Sequence, residues 1–264
     1  MKTITSPSNP TIKFIRSLKQ KKERESSGLY YVEGIRLIGE AVRTQQKIAH
    51  VIVCYELLDS SFGKELISQI VEEGIDTISV PESVFESISL KEGPQGIAAV
   101  LEETWADLGA IMNIKGLWVA LESVQDPGNL GSILRSADAA GGKGIVLLDE
   151  STDPYHPTSV RASMGGIFSQ KIIKTSLEGF SQWKKANNYP LVGTRCGEGL
   201  NYRRYNYPKD MILLMGSEQK GLSSQHLEIC DELVTIPMKG TVDSLNLSNA
   251  ASIVLFEILA QHSG

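Results

Sequence analysis

The feature that most constrains the fold is a series of short segments in the second half of the chain that are mostly apolar, although 171–174 is Lys-Ile-Ile-Lys. Six of them fall at residues 117–121, 144–148, 171–174, 191–194, 211–215 and 233–237, with helical patterns between them. Strands that are apolar along their whole length are typical of a parallel sheet whose two faces are covered by helices. A long helix is predicted over 246–261. The second half is therefore predicted to be an α/β domain built on a parallel sheet.

The first half also alternates strands and helices, but its predicted strands are less apolar. A chain of 264 residues has room for two modest domains. The pattern predicts a small α/β domain over 1–102, a linker with a short helix over 103–115, and a larger α/β domain over 116–264. No apolar run approaches the roughly 18–20 residues that span a bilayer, and the polar N-terminus has no secretory signal, so we expect a cytoplasmic protein.

Charge is distributed unevenly along the chain. Seven lysines and arginines accompany one glutamate in the first 24 residues, a net charge of +6, whereas the remaining 240 residues carry −11. A basic segment on an acidic protein is typical of contact with a polyanion such as nucleic acid, and a solvated helix face is the alternative interpretation. Cys54, Cys196 and Cys230 are far apart in the sequence and form no motif with the four histidines, so we expect reduced thiols and no metal site.

Ligands of open parallel sheets bind beyond the carboxyl ends of the strands, and three turns at such positions are unusual. The first contains Asp-Pro-Gly at 126–128, followed by Asn129 as the predicted N-cap of a helix. Arg135 lies six residues further on, in the apolar second turn, where the helix dipole disfavours a cation. Either Arg135 has a functional role, or it pairs with Asp138 or extends into water.

The second unusual turn follows strand 211–215 and runs from Gly216 through Glu218 to Gly221. Small residues let the backbone approach a ligand closely, and Glu218 stands just past the strand end. The same residues also form an ordinary turn into a helix, so this turn alone is weak evidence.

The third unusual turn precedes the final helix. Ser244, Asn246 and Ser248 crowd the start of an otherwise apolar segment. A single such residue suffices to cap a helix, so the three together exceed the structural requirement.

Common nucleotide-binding motifs are absent from the second half. It has no Walker lysine motif and no GxGxxG between a strand and a helix, which leaves a dinucleotide enzyme or an ordinary Rossmann methyltransferase unsupported. The loop 201–207 holds three tyrosines and two arginines. Such a loop suits stacking and phosphate contact with RNA, and an exposed loop without this role is the alternative.

At the three turns the sequence resembles the SpoU (TrmH) branch of the SPOUT methyltransferases. The matching stretches are 126–137, which runs from Asp-Pro-Gly-Asn to Arg-Ser-Ala, 213–222, which contains Gly-Ser-Glu-Gln-Lys-Gly, and 236–251, which runs from Ile-Pro-Met to Leu-Ser-Asn-Ala-Ala. They occur in the family's order, and 161–168 also looks like family sequence. Leu247 departs from the family, in which valine is frequent there. The N-terminal stretches are similar, less specifically, to the L30e-like substrate-binding domain of many ribosomal-RNA members.

The resemblance implies an enzyme that transfers a methyl group from S-adenosylmethionine to a ribose 2′-hydroxyl of RNA. The N-terminal domain favours ribosomal RNA over transfer RNA as the partner. The implied fold is an L30e-like α/β domain followed by a SPOUT domain with a trefoil knot, which dimerises with a second copy and uses no metal and no membrane. The positions that match the family's cofactor contacts are Thr194, Gly216, Ile236, Met238 and Leu245.

The positions that match the family's catalytic residues are Arg135, Asn129, Glu218, Ser244 and Asn246. We expect Arg135 nearest to the hydroxyl, either as the base or, because a guanidinium pKa exceeds about 12, as the group that holds the phosphate and polarises the hydroxyl. Asn129 and Asn246 would orient Arg135 and the substrate, and Glu218 would fix its loop or pair with the arginine. The alternatives are a non-catalytic RNA-binding or ribosome-assembly protein, against which the complete residue set argues, and a small-molecule α/β enzyme.

Overall fold

Residues 2–263 are described by the structure, a computed structural model, and they divide into two compact units. The first unit contains the chain up to Glu103 together with Tyr155–Arg161. The second contains Thr104–Pro154 and the chain from Ala162 onward. The sequence pattern does not predict that Tyr155–Arg161 belongs to the first unit, because this segment lies between two motifs of the second.

The first unit is built on a five-stranded mixed sheet. Its strands are β1 (Lys2–Thr3), β2 (Leu29–Glu33), β3 (Ile48–Val53), β4 (Thr77–Ser79) and β5 (Ile97–Glu102), and its helices are α1 (Pro10–Ser17), α2 (Lys21–Ser27), α3 (Ile35–Arg43), α4 (Ser61–Glu72) and α5 (Glu82–Ile88). The strand order is β1-β4-β3-β5-β2, with β5 antiparallel to both of its neighbours. The apolar sides of α1 and α5, including Ile12, Ile15 and Phe85, pack together in the core.

Two cations of the basic N-terminal segment serve the fold of this unit. Arg24 is 1 % exposed, and its Nη1 donates to the carbonyls of Leu18 and Lys19 just after α1. These carbonyls lack a partner within the helix, so the arginine satisfies a helix end. Arg16 donates from Nε to the Ser87 carbonyl at 2.9 Å. The net charge of the segment therefore overstates the number of cations that can meet RNA.

The second unit is built on a seven-stranded sheet in which every pairing is parallel. Its strands are β6 (Leu117–Glu122), β7 (Gly144–Leu148), β8 (Lys171–Thr175), β9 (Leu191–Thr194), β10 (Leu200–Asn201), β11 (Met211–Met215) and β12 (Glu232–Thr235). The helices that follow residue 103 are α6 (Gly109–Asn113), α7 (Pro127–Ala139), α8 (Pro157–Ser163), α9 (Gly166–Ser169), α10 (Leu177–Asn187), α11 (Ser224–Glu228) and α12 (Leu247–His262). The predicted α/β class and parallel sheet are confirmed, whereas the trefoil knot stays a prediction. None of the helices within 2–263 combines the length and apolar character needed to cross a bilayer.

Helix α7 begins earlier than the sequence pattern predicts. Its N-cap is Asp126, whose Oδ1 accepts the backbone N–H of Asn129 at 2.7 Å. The prediction that Asn129 caps this helix is therefore wrong, because Pro127 is well suited to the first helical position and starts the helix two residues before Asn129. Arg135 consequently lies in the third turn, beyond the region where the positive end of the helix dipole acts on it.

Candidate functional site

The loops that carry the three motifs meet at the carboxyl edge of the seven-stranded sheet. β12, β9, β11 and β6 are consecutive neighbours, so the loops that follow them leave the sheet side by side. A cavity of about 520 Å³ lies among the loops after β9, β11 and β12, and this volume is usual for a small-molecule site. The five residues that match the family's cofactor contacts all line it: Thr194, Gly216, Ile236, Met238 and Leu245.

The fold of its own loop requires a glycine at position 216, which also lines the cavity. A Cβ atom at this position would overlap the backbone of Gly221 and Leu222, which folds back over it. The Gly221 N–H donates to the Ser217 carbonyl at 3.0 Å and closes this turn. A side chain at Gly216 would therefore disrupt the loop before it could obstruct a ligand.

Three of the predicted catalytic residues, one from each motif, form a chain of hydrogen bonds beside this cavity. Asn129 Nδ2 donates to Glu218 Oε1 at 3.0 Å, and Asn246 Nδ2 donates to Asn129 Oδ1 at 3.0 Å. Asn246 also caps α12, because its Oδ1 accepts the Ser248 N–H at 2.9 Å. Both ends of the Asn246 amide are thus occupied, and the cap of α12 is joined to the first turn of α7.

The Glu218 carboxylate is the acceptor at the end of this chain. Its oxygens also accept the backbone N–H groups of Gln125 and Asp126, each at 3.3 Å. Burial by itself raises the pKa of Glu218, but the hydrogen bonds from Asn129 and the backbone outweigh it and hold the pKa below its ordinary value. The ionised carboxylate ties the loop after β11 to the loop after β6.

The two remaining predicted catalytic residues stand apart from this chain. Ser244 lines the cavity. Arg135 is exposed, and no hydrogen bond or ion pair joins its side chain to another residue in the part of the chain that the structure describes. It follows Asn129 by six residues, roughly 9 Å along the helix axis. The alternative partner Asp138 instead accepts from Ser169 Oγ at 2.5 Å.

A buried polar cluster behind the loop after β11 was not predicted from the sequence. His226 is 2 % exposed, and its Nδ1 lies 2.7 Å from Ser223 Oγ and 3.1 Å from Glu122 Oε1. Its Nε2 lies 3.6 Å from Asp149 Oδ2. Glu122 Oε2 also accepts the Ser223 N–H at 3.0 Å. Burial lowers the pKa of His226 although Glu122 and Asp149 oppose that shift. The partners lie far from His226 in the sequence, so no local pattern marks them.

The prediction that loop 201–207 offers stacking surfaces to RNA is wrong for two of its tyrosines. Tyr202 and Tyr207 are buried. The Tyr207 N–H donates to Gln261 Oε1 of α12 at 3.2 Å. Arg203 Nε donates to the Tyr202 hydroxyl at 2.9 Å, and its guanidinium lies over the same ring. These side chains attach the loop to the protein.

Within residues 2–263, no group of three or more His, Cys, Asp or Glu side chains is placed to hold a metal ion. Cys54 is buried and Cys230 partly buried, whereas Cys196 is exposed and lines the cavity. Cys196 is thus an exposed thiol at the wall of this cavity.

Two family models match separate parts of the chain. The model of the SpoU rRNA methylase family matches residues 116–256. The model of the MRM3-like substrate binding domain matches residues 9–99. The first match covers the three motif loops and the cavity that they surround.

The chain is similar along nearly its whole length to known ribosomal-RNA methyltransferases. It is 29% identical to the 23S rRNA (guanosine(2553)-2′-O)-methyltransferase RlmP of Bacillus subtilis, over 98% of this chain and 99% of that protein. It is 32% identical to the 23S rRNA (uridine(2479)-2′-O)-methyltransferase of Streptomyces viridochromogenes, over 92% of this chain and 87% of that protein. The AdoMet-bound rRNA methyltransferase from Sinorhizobium meliloti superposes with a TM-score of 0.87 at 34% identity, over 99% and 98% of the two chains.

Proposed function

The chain belongs to the SpoU rRNA methylase family, and we propose that it transfers a methyl group from S-adenosylmethionine to a ribose 2′-hydroxyl of ribosomal RNA. The observation that carries this function is the hydrogen-bonded chain Glu218–Asn129–Asn246, which joins all three motifs beside a cavity of about 520 Å³. The two named relatives act on 23S rRNA at a ribose 2′-oxygen, and the Sinorhizobium meliloti structure contains AdoMet. With this activity we expect the protein to act in the cytoplasm.

We assign the cofactor to the cavity lined by the five positions named above. The walls combine apolar side chains such as Leu222 and Val254 with the close-approaching backbone at Gly216, which suits a nucleoside held by main-chain groups. When bound there, S-adenosylmethionine supplies an electrophilic methyl group on a sulfonium centre. Ser244 and Glu218 also line this cavity.

The protein must align a weakly nucleophilic hydroxyl and assist removal of its proton. The network built on Asn129 holds three loops in a fixed relation, so the groups that meet the ribose are positioned before it arrives. Arg135 has no partner in the described chain, and its fork of N–H donors suits a substrate phosphate. In this assignment Arg135 binds the phosphate and polarises the hydroxyl, and Glu218 positions the loops.

The active form is a homodimer joined through α12. Ile253 and Phe256, 36% and 49% exposed, lie with Ala260 on one side of this helix and form an apolar stripe. α12 packs on α7, where the hydroxyls of Ser252 and Ser136 lie 2.8 Å apart. Arg135 directly precedes Ser136, so we expect a second copy seated on the stripe to bring Arg135 near the dimer interface.

The test is methyl transfer by the purified full-length protein from tritiated S-adenosylmethionine to ribosomal RNA, with transfer RNA as a parallel substrate. The expected product is one 2′-O-methylated nucleotide in ribosomal RNA, mapped by resistance of the adjacent bond to alkaline cleavage. Methylation confined to transfer RNA would show that transfer RNA, and not ribosomal RNA, is the substrate. Cofactor binding without transfer to either RNA would favour a non-catalytic RNA-binding protein.

A further inference from the structure

The first unit contains a second cavity, of about 260 Å³, that is separate from the cofactor positions. Three basic side chains line it, together with a carboxylate, an imidazole and apolar residues: Lys19, Lys91, Arg161, Glu33, His156, Leu37, Leu90 and Val160. The segment Tyr155–Arg161 supplies one wall, and it is anchored by Tyr155, which is 1 % exposed and packs its ring 4.6 Å from that of Tyr30.

The cations around this cavity lack anionic partners. Lys91 and Arg161 make no ion pair or hydrogen bond through their side chains with any other described residue. Lys19 Nζ has one hydrogen bond, at 3.3 Å to the Ser89 carbonyl. Burial and the nearby Arg16 lower the pKa of Lys19, and Glu33 only partly opposes this. Such crowding of positive charge is relieved by an anion.

Glu33 is engaged in holding the wall and is not available as a counter-ion to all three cations. It is 5 % exposed, and its oxygens accept from Ser89 Oγ at 2.7 Å and from the Leu90 N–H at 2.8 Å. The second of these hydrogen bonds holds Leu90, which is 37% exposed and lines the cavity. Gly34 has no side chain that would displace the Lys91 ammonium, since a Cβ there would lie 2.8 Å from Lys91 Nζ.

We propose that this cavity binds one unpaired nucleotide of the RNA, with its phosphate between Lys91 and Arg161 and its base against Leu90 and Val160. Proteins recognise RNA mainly through single-stranded nucleotides whose bases are splayed into pockets, and their phosphates pair with lysine and arginine. The cavity is a little smaller than usual for a drug-sized ligand, which suits one base. The inference rests on the proposed function only in that the macromolecule is RNA.

The test measures binding of a short fluorescein-labelled single-stranded RNA to the full-length protein by fluorescence anisotropy. The pocket variant carries Lys91→Gln and Arg161→Gln. The control carries Lys13→Gln and Lys22→Gln, two exposed lysines of the basic N-terminal segment that make the same change in net charge. We expect the pocket variant to lose about tenfold or more in affinity and roughly one unit of the logarithmic salt slope, because one phosphate is held there, and the control to lose about threefold or less in affinity.

Equal losses in the two variants would overturn the proposal, because general attraction by a basic surface would then explain binding. An unchanged pocket variant would overturn it too, and so would wild-type preference for a duplex of the same sequence. Photocrosslinking of 4-thiouridine-containing RNA to the wild type needs no folded variant, and it must label peptides around Leu90 or Val160. S-adenosylmethionine binding should be unchanged in the pocket variant. If the wild type binds RNA in this cavity but never methylates it, only the proposed function fails.

Discussion

Within the first motif, two residues six positions apart on one helix have opposite environments. Asn129 is held by both of its amide atoms between Glu218 and Asn246, whereas Arg135 has no partner among the described residues. A residue whose side chain is occupied in the free protein can position loops but has little freedom to meet a substrate. An exposed arginine without a partner loses no interaction within the chain when it binds a phosphate. No side-chain interaction among the described residues depends on Arg135.

Replacing Arg135 with alanine should leave the fold and cofactor binding intact and reduce turnover by at least about 100-fold, the lower range for a positioned acid–base group. Arg135→Lys should be nearly as inactive, because lysine keeps the charge but not the planar fork. Tritiated methyl transfer measures turnover, and titration calorimetry measures the binding of S-adenosylmethionine. Near-normal turnover of Arg135→Ala, or joint loss of cofactor binding and activity, would show that the assignment of Arg135 is wrong.

Alkylation of Cys196 should report on the cofactor cavity. Only thiolates react readily, and burial raises the pKa of Cys230 to about 12 and also raises the pKa of Cys54, so the exposed Cys196 should be labelled first. A bulky maleimide there should abolish cofactor binding. S-adenosylmethionine at about 100 times its Kd should slow labelling about 100-fold, since only free protein reacts. Cys196→Ser is the control and should bind cofactor normally. If the fully labelled protein binds S-adenosylmethionine with unaltered affinity, the cofactor binds outside this cavity.

Among the elements, those of the sheet could be predicted and several loop features could not. β7, β9 and β11 have the predicted bounds because their apolar runs end abruptly at polar or glycine residues. Helix starts are harder to predict when two residues can cap, as at Asp126 and Asn129, where the proline between them decides. The motif residues were found by resemblance, but their hydrogen bonds join loops about 90 to 117 positions apart, which no local pattern encodes.

The cluster around His226 should make the loop after β11 sensitive to acid. The pKa of His226 is lowered chiefly by burial, so the folded protein keeps this side chain neutral at a pH where the unfolded chain has taken up a proton. The stability linked to this group is therefore fully present above the ordinary value of 6.5 and is lost as the pH falls through it toward the lower folded value. Glu122 and Ser223 lie near Nδ1 of this ring and Asp149 lies near Nε2, and all three residues are unchanged in the test.

His226→Gln should reduce the free energy of unfolding by about 1–3 kcal/mol at neutral pH, the cost of disturbing a buried hydrogen-bonded group. The variant should also lose less of this free energy than the wild type between about pH 7 and pH 5, because its side chain takes up no proton in the unfolded chain. Urea unfolding at several pH values measures both effects. His50→Gln is a suitable control, since His50 is paired with Asp76 at 2.7 Å but is much more exposed. Parallel pH curves for the wild type and His226→Gln would contradict the role of this histidine.

At the scale of the whole molecule, two family matches and two compact units divide the chain at nearly the same place, apart from Tyr155–Arg161. That segment could not be assigned from the sequence, because a tyrosine followed by a histidine and a proline predicts a loop but not its neighbours. We propose that the first unit supplies RNA affinity and the second supplies catalysis. The apolar stripe on α12 has no role in RNA affinity or catalysis within one chain. We therefore expect a second copy of the chain to cover it.

Phe256→Glu should convert the expected homodimer into a monomer that still binds S-adenosylmethionine. Burying a large apolar side chain contributes about 1.5–3 kcal/mol, and each copy of a symmetric interface contributes its own, so one substitution acts twice. An unpaired carboxylate at the same place adds a desolvation penalty. The matched control is Phe62→Glu, at a phenylalanine of the first unit that is 55% exposed, compared with 49% for Phe256.

Light scattering at micromolar concentration should give half the mass for Phe256→Glu and an unchanged mass for Phe62→Glu. A monomeric wild type would contradict the predicted homodimer. A dimeric Phe256→Glu variant would show that the interface lies away from α12. Because Arg135 directly precedes Ser136, which contacts Ser252 of α12, the monomer should also lose methyl transfer while keeping its cofactor affinity, which separates loss of the interface from loss of the cofactor site.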